Sequence, residues 1–159
     1  MKLLEGKVSI VTGAARGIGA AIALKLAAHG SDVAFTYVSD GSAEKAAQLA
    51  ADIQSLGVKT WFRKSNAGQL RECEQLVQEL MNEWGRIDIC VNNAGISKDN
   101  LLMRMTEEQW DEVMNVNLKS VYNMTKQVIR PMMKARNGSI INMSSIIGMR
   151  GNAGQSSYA

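Results

Sequence analysis

Proline is almost missing from this chain: there is one, Pro131, in 159 residues. No repeat, low-complexity run or Pro/Gly/Ser-rich linker divides the sequence, so residues 1–159 read as a single domain. Cysteine is scarce too. Cys73 and Cys90 make no close-spaced metal or redox motif and read as structural thiols of a reducing compartment. The only histidine, His29, precedes Gly30 at an expected helix end, where the dipole favours a cation; neither a metal site nor histidine catalysis is expected. Aromatics are 5%, and no basic patch is interleaved with them. The net charge of +3, from 18 basic and 15 acidic residues, is too mild to argue for nucleic acid. No apolar run is long enough to cross a bilayer, and residues 1–6 lack the apolar core of a signal peptide. The expectation is a cytoplasmic protein with no membrane partner.

What is present is the material of a globular domain, 46% hydrophobic and 21% charged. One stretch organises it: Thr12-Gly13-Ala14-Ala15-Arg16-Gly17-Ile18-Gly19. An apolar run, residues 8–11, comes before it. A helical pattern with Ile18, Ile22 and Leu26 on one face follows. Strand, glycine turn and helix in that order make a phosphate cradle. Gly13 allows the sharp turn, Gly17 leaves room for a pyrophosphate, and Gly19 lets the helix pack close to the strand. The positive end and free N–H groups of the helix then face the phosphates.

Strand and helix patterns alternate through the rest of the chain. Strands are expected at 32–37, 58–63, 87–92 and 138–143, and helices at 42–56 and 69–84. A further helix is expected from Thr106, in a capping box with Gln109, to about Arg136, with an apolar stripe of Val113, Val121, Met124 and Val128 and a kink at Pro131. The polar strand at 58–63 suits an edge; the apolar one at 87–92 suits the centre. This is an α/β fold, a doubly wound parallel sheet of the Rossmann type. Its ligand belongs beyond the carboxyl ends of the strands, where Thr12, Asn92, Asn93 and Ser145 gather. Asn117, four residues from both Val113 and Val121, falls on the apolar face of its helix, where an amide needs partners.

On these residues the chain resembles the short-chain dehydrogenase/reductase family over its whole length, and most of all its 3-oxoacyl-acyl-carrier-protein reductases. The marks are the Thr12–Gly19 loop, Asn92-Asn93-Ala94-Gly95, Asn117, the run Asp99-Asn100-Leu101-Leu102-Met103-Arg104-Met105, and Ser145 followed thirteen residues later by Tyr158. The resemblance implies hydride transfer between a nicotinamide and a ketone. Tyr158 is then the proton donor, Ser145 the partner of the substrate oxygen in preference to its neighbour Ser144, and Asn117 a helix-disrupting residue that holds a water of the proton relay. It also implies a cofactor bound by Gly13, Arg16, Gly17, Ile18 and Gly19, by Asn92, Ala94 and Gly95, and by Asn66 at the adenine ring.

Where an NAD-preferring relative carries an acid, this chain has Tyr37, with Asp40 three residues on. Together with Arg16 this implies NADP(H). Arg136 matches a position that docks acyl carrier protein, and the family's full-length members imply a homotetramer. The lysine of the family's Tyr-x-x-x-Lys motif falls at position 162, past Ala159. The expectation is therefore five strands of a larger sheet, in a chain that does not catalyse by itself. Two alternatives stand: a related reductase of another ketone or alcohol, and a silent nucleotide-binding fragment.

Overall fold

Strand composition follows strand position in the computed structural model, which describes residues 2–159. The sheet is parallel throughout, in the order β3-β2-β1-β4-β5. The strands are β1 (Val8–Val11), β2 (Asp32–Tyr37), β3 (Thr60–Lys64), β4 (Ile89–Asn92) and β5 (Ser139–Asn142). All four residues of β1 are buried, as a central strand covered on both faces requires. The polar strand β3 lies at one edge and β5 at the other, with Ile141 44% exposed. Chain order runs outward from β1 through β2 to β3, then returns to place β4 on the other side of β1. The direction of winding thus switches between β1 and β4, the place where open α/β sheets hold ligands.

Two apolar layers sandwich the sheet. Helices α1 (Gly17–Ala28) and α2 (Ala43–Ser55) cover Val11, Val33 and Phe35; α3 (Leu70–Trp84) and α5 (Ser120–Ala135) cover Ile10 and Cys90 on the other face. Cys73 and Cys90 are both buried in the second layer, and burial pushes each thiol up to about 12, which leaves them inert at neutral pH. The face of α1 is not the one its large residues suggest. Gly19, Ala23 and Ala27 are buried, whereas Ile22 and Leu26 are half-buried and Ile18 is 66% exposed. Small residues let this helix lie against the sheet at close range, so the contact stripe is made of its smallest side chains.

The long helical run is interrupted where Asn117 stands, not at Pro131. Helix α4 (Glu107–Val113) starts in the expected capping box of Thr106 and Gln109, passes into a π-helical segment (Met114–Lys119), and resumes as α5, which continues through Pro131. Of the expected stripe Val113, Met124 and Val128 are buried, and Val121 is half-buried. A last short helix is α6 (Ile147–Arg150).

At the amino ends of the strands, opposite the ligand side, Asp88 forms a clamp. Its Oδ2 accepts the Val8 N–H at 2.9 Å and Arg86 Nε–H at 2.8 Å. Its Oδ1 accepts from Arg86 at 2.6 Å and from Asn137 Nδ2 at 2.7 Å. Its own N–H and C=O bridge to the Val8 C=O and the Ser139 N–H, each at 2.8 Å. One buried carboxylate thus fastens the starts of β1, β4 and β5 together.

Candidate nucleotide-binding and catalytic cleft

The switch point is knitted by one hydroxyl and one amide. Thr12 Oγ1, at the end of β1, accepts the N–H groups of Asn93 and Ala94, both at 3.0 Å. Asn93 Nδ2 returns to the C=O of Thr12 at 2.9 Å and of Gly13 at 3.2 Å. From the other side Thr36 Oγ1 accepts the Gly13 N–H at 3.1 Å, and the Thr36 C=O accepts the Ala14 N–H at 2.9 Å. The glycine loop is therefore held by β2 and β4 at once. Thr36 carries no family mark; its one sequence signal is a hydroxyl residue directly after the apolar run Val33-Ala34-Phe35.

The loop has room for a ligand and none for side chains. A Cβ on Gly19 would lie 2.5 Å from Asn93 Nδ2, 2.8 Å from Ala14 Cα and 2.9 Å from the Gly13 oxygen. Gly13, at φ +65°, would place one 3.0 Å from Ala94 Cα. Around Gly17 nothing lies within 4 Å of such a Cβ, so the side open to the cleft is free for an approaching phosphate. The N-cap of α1 is Arg16, with no side-chain cap, so the first N–H groups of a twelve-residue helix remain for an anion. These residues fit a dinucleotide pyrophosphate. Gly19→Ala should cost stability by about 1–3 kcal/mol through overpacking and should weaken nucleotide binding. Thermal unfolding and a nucleotide titration test this; unchanged affinity would show that the tight packing is not what shapes the cradle.

The cleft extends from this loop across β4 to β5, with a volume of about 1030 Å³. Gly13, Arg16, Gly17, Ile18 and Gly19 line its first wall. Asn92, Ala94, Gly95 and Asn117 line the middle, and Ser145 and Tyr158 the far wall. Asn117 binds the loop after β4 with both ends of its amide: Oδ1 accepts the Ile96 N–H and Nδ2 donates to the Ile96 C=O, each at 2.8 Å. One residue thus stands inside the π-helical segment and fixes the loop after β4. Asn92 is buried; its Nδ2 donates to Asn142 Oδ1 at 2.8 Å, the register partner on β5, and to Thr125 Oγ1 of α5 at 3.4 Å, so its side chain lies on the sheet face that α5 covers. Ser145 is half-buried and its Oγ accepts the Ile147 N–H at 3.2 Å, whereas Ser144 is exposed.

The structure does not bring Asn66 to the cleft wall. Its Oδ1 accepts the Gly68 N–H at 2.9 Å, closing a turn on itself, and its own N–H donates to Glu72 at 2.6 Å. Arg136 does not line the cleft; it is exposed just past α5 at φ 50°. Val38, Ser39 and Ser42, which sequence reasoning passed over, line the cleft beyond β2, with the two serine hydroxyls 2.8 Å apart. Their signal was position alone, after the strand and ahead of α2. Among the described residues no group of His, Cys, Asp and Glu could hold a metal ion, and no helix is long and apolar enough to cross a membrane.

A parallel sheet with a glycine loop at its switch point and a helix N-terminus aimed into the cleft defines a Rossmann-type nucleotide-binding fold. A sequence profile described as short chain dehydrogenase matches residues 7–159, and the chain belongs to that family. It is 45% identical over 152 residues to the 3-oxoacyl-[acyl-carrier-protein] reductase FabG of Staphylococcus epidermidis, covering 96% of this chain and 62% of that protein. It is 46% identical over 157 residues to the FabG of Chlamydia muridarum, covering 99% and 62%. The crystal structure of a Sinorhizobium meliloti 1021 protein assigned as a short-chain alcohol dehydrogenase superposes with a TM-score of 0.92 at 30% identity, covering 98% of this chain and 60% of that one. The chain thus spans about three fifths of the length of the relatives it matches.

Proposed function

We propose that this chain carries the cofactor site and the reacting side chains of an NADPH-dependent oxidoreductase. Its substrate is a 3-oxoacyl thioester on acyl carrier protein, reduced to the 3-hydroxyacyl form in cytoplasmic fatty-acid synthesis. One observation carries this reading: a single cleft gathers the glycine loop, Asn117, Ser145 and Tyr158, in a chain 45–46% identical to proteins named for that reaction. When bound, a reduced nicotinamide supplies the hydride. Ser145 Oγ accepts the Ile147 N–H, which anchors the hydroxyl and leaves its hydrogen free to donate to the substrate oxygen. Tyr158 gives its phenolic proton to that oxygen as negative charge develops there.

The preference for NADP(H) rests on the end of β2. Tyr37 stands where an acid would bind a ribose 2′-hydroxyl, and Asp40 is paired with Lys64 at 2.6 Å and does not line the cleft. Arg16 is exposed at the cleft mouth and, among the described residues, makes no salt bridge, so its guanidinium is available to a 2′-phosphate. Arg16→Ala should weaken NADPH binding by about 1.5–3 kcal/mol and leave NADH binding nearly unchanged. Parallel fluorescence titrations decide this; equal losses for the two cofactors would remove Arg16 from the assignment.

Docking of an acidic carrier protein at Arg136 is supported by charge. From Val113 to Ala159 the sequence has six Lys and Arg and no Asp or Glu. Self-association, as a tetramer in the full-length form, is supported by large apolar side chains left exposed along α4 to α5: Trp110, Leu118, Tyr122, Ile129 and Met133.

The deciding experiment uses the protein at the full length of the relatives it matches and follows NADPH oxidation with an acetoacetyl thioester beside unrelated ketones. Faster turnover of the thioester supports the proposal. Preference for another ketone replaces the substrate, and nucleotide binding with no turnover of any ketone replaces the enzyme reading with a binding one.

A further inference from the structure

The turn that carries Tyr158 does not stand by itself. The Ala159 N–H donates to the Gln155 C=O at 2.9 Å, which closes the turn around the tyrosine. The side chain of Gln155 is used at both ends: Oε1 accepts from Asn152 Nδ2 at 2.8 Å, and Nε2 donates to Asp99, at 3.1 Å to Oδ1 and 3.2 Å to Oδ2. Beside this contact the Asn100 N–H donates to the Gly154 C=O at 2.8 Å. The loop after β4 and the loop after β5 are thereby joined by a backbone bond and a side-chain bond at adjacent positions.

The join does not end in a floppy loop. Asn100 Nδ2 donates to the Arg104 C=O at 3.0 Å and to Gln109 Oε1 at 3.2 Å. Gln109 is the residue whose amide and backbone form the capping box of α4 with Thr106. A continuous path therefore leads from the Tyr158 turn, through Gln155, Asp99 and Asn100, to the first turn of a helix. The neighbouring cation Lys98 is engaged elsewhere, with Glu112 at 3.0 Å, so the Asp99 carboxylate faces an amide rather than a charge.

We propose that Asp99 and Gln155 are positioning residues for Tyr158, a clasp that holds its phenol at the distance and angle proton transfer needs. The inference rests on the reading of Tyr158 as the proton donor. It assigns to Asp99 a hydrogen-bonding role that does not require its charge. Misplacement of a reacting group by about an ångström is enough to cost up to about a hundredfold in rate, so a clasp of modest strength has a large kinetic signature.

The test compares Asp99→Ala, Asp99→Asn, Gln155→Ala and the Asp99→Ala/Gln155→Ala double variant in the full chain, by amide hydrogen exchange and by steady-state kinetics. In Asp99→Ala, exchange at the Ala159 and Asn100 amides should rise about tenfold, with kcat falling about tenfold and KM for NADPH unchanged. Asp99→Asn should restore both, because a carboxamide oxygen still accepts the Gln155 N–H. The double variant should be no worse than the more damaged single one. Unchanged exchange and kcat in Asp99→Ala, or failure of Asp99→Asn to restore them, would overturn the clasp. If even the unsubstituted protein, at the full length of its relatives, turns over no 3-oxoacyl thioester, the reductase reading fails while the exchange measurements still judge the clasp.

Discussion

Asp88→Ala should lower the unfolding free energy by about 3–5 kcal/mol, the largest stability loss expected of a side chain outside the apolar layers. The carboxylate is only 5% exposed and joins strands that are far apart in sequence: β1 through Val8, β4 through its own backbone, and β5 through Asn137 and Ser139. Its removal leaves the Val8 N–H and the Asn137 amide without their acceptor, and the cost of such orphaned donors adds to the lost ion pair. Arg86→Ala should cost less, because the guanidinium is 48% exposed and water can take its place.

The same site sets an acid limit. Burial, the largest influence on this carboxyl, pushes it upward. The Arg86 hydrogen bond, the Val8 N–H and the charges of Arg86 and Lys7 together outweigh burial and hold it below its ordinary 3.8. A group depressed in the folded state stabilises above its unfolded value, and that contribution fades as pH falls through the native one. Urea unfolding at pH 7 and at steps below pH 4 should therefore show the difference between the unsubstituted chain and Asp88→Ala narrowing only in the acid range. A loss under about 1 kcal/mol at pH 7, within the range of an ordinary exposed pair, would show that the clamp is redundant.

Much of this architecture is legible in the sequence, for reasons that differ from element to element. The alternation of strand and helix patterns, the glycine loop and the Thr106–Gln109 capping box are local signals, and local geometry obeys them. The polar strand at one edge and the apolar strand inside the sheet, β4 between β1 and β5, follow from burial alone. The apolar periodicity of α1 marks a helix but not its buried face; where a helix must approach the sheet closely, Gly19, Ala23 and Ala27 are favoured over Ile18. The turn that Asn66 closes, which no spacing marked, illustrates a second limit. A short amide side chain has a competing partner in its own backbone two residues on, and here the turn at Gly68 takes its oxygen. The Asp88 clamp and the Asp99–Gln155 contact were invisible for a third reason. Each joins segments about 50 or more residues apart, and no spacing along the chain marks such a meeting.

In a chain that turns over substrate, Tyr158→Phe should lower kcat by roughly 10²–10⁴-fold, the usual worth of a positioned proton donor, while NADPH dissociation stays nearly unchanged. The substitution deletes one hydroxyl from the far wall of the cleft and leaves the glycine loop, the helix N-terminus and Arg16 intact on the opposite wall. Ser145→Ala should also be severe and Ser144→Ala mild. The two serines are adjacent, and both line the cleft, but their surroundings separate them. Ser145 is half-buried and its oxygen is anchored by the Ile147 N–H, so the hydroxyl donates from a fixed position; Ser144 is exposed. A fixed donor aimed at an oxygen that gains charge stabilises the transition state more than the ground state, so the loss should appear in kcat rather than in cofactor affinity. Single-turnover rates with NADPH and an acetoacetyl thioester, measured beside the nucleotide dissociation constant for each variant, separate the two effects. A Tyr158→Phe variant with kcat within tenfold of the unsubstituted chain would assign the proton to another group. A Ser144→Ala variant more damaged than Ser145→Ala would show that the hydroxyl meeting the substrate is the exposed one.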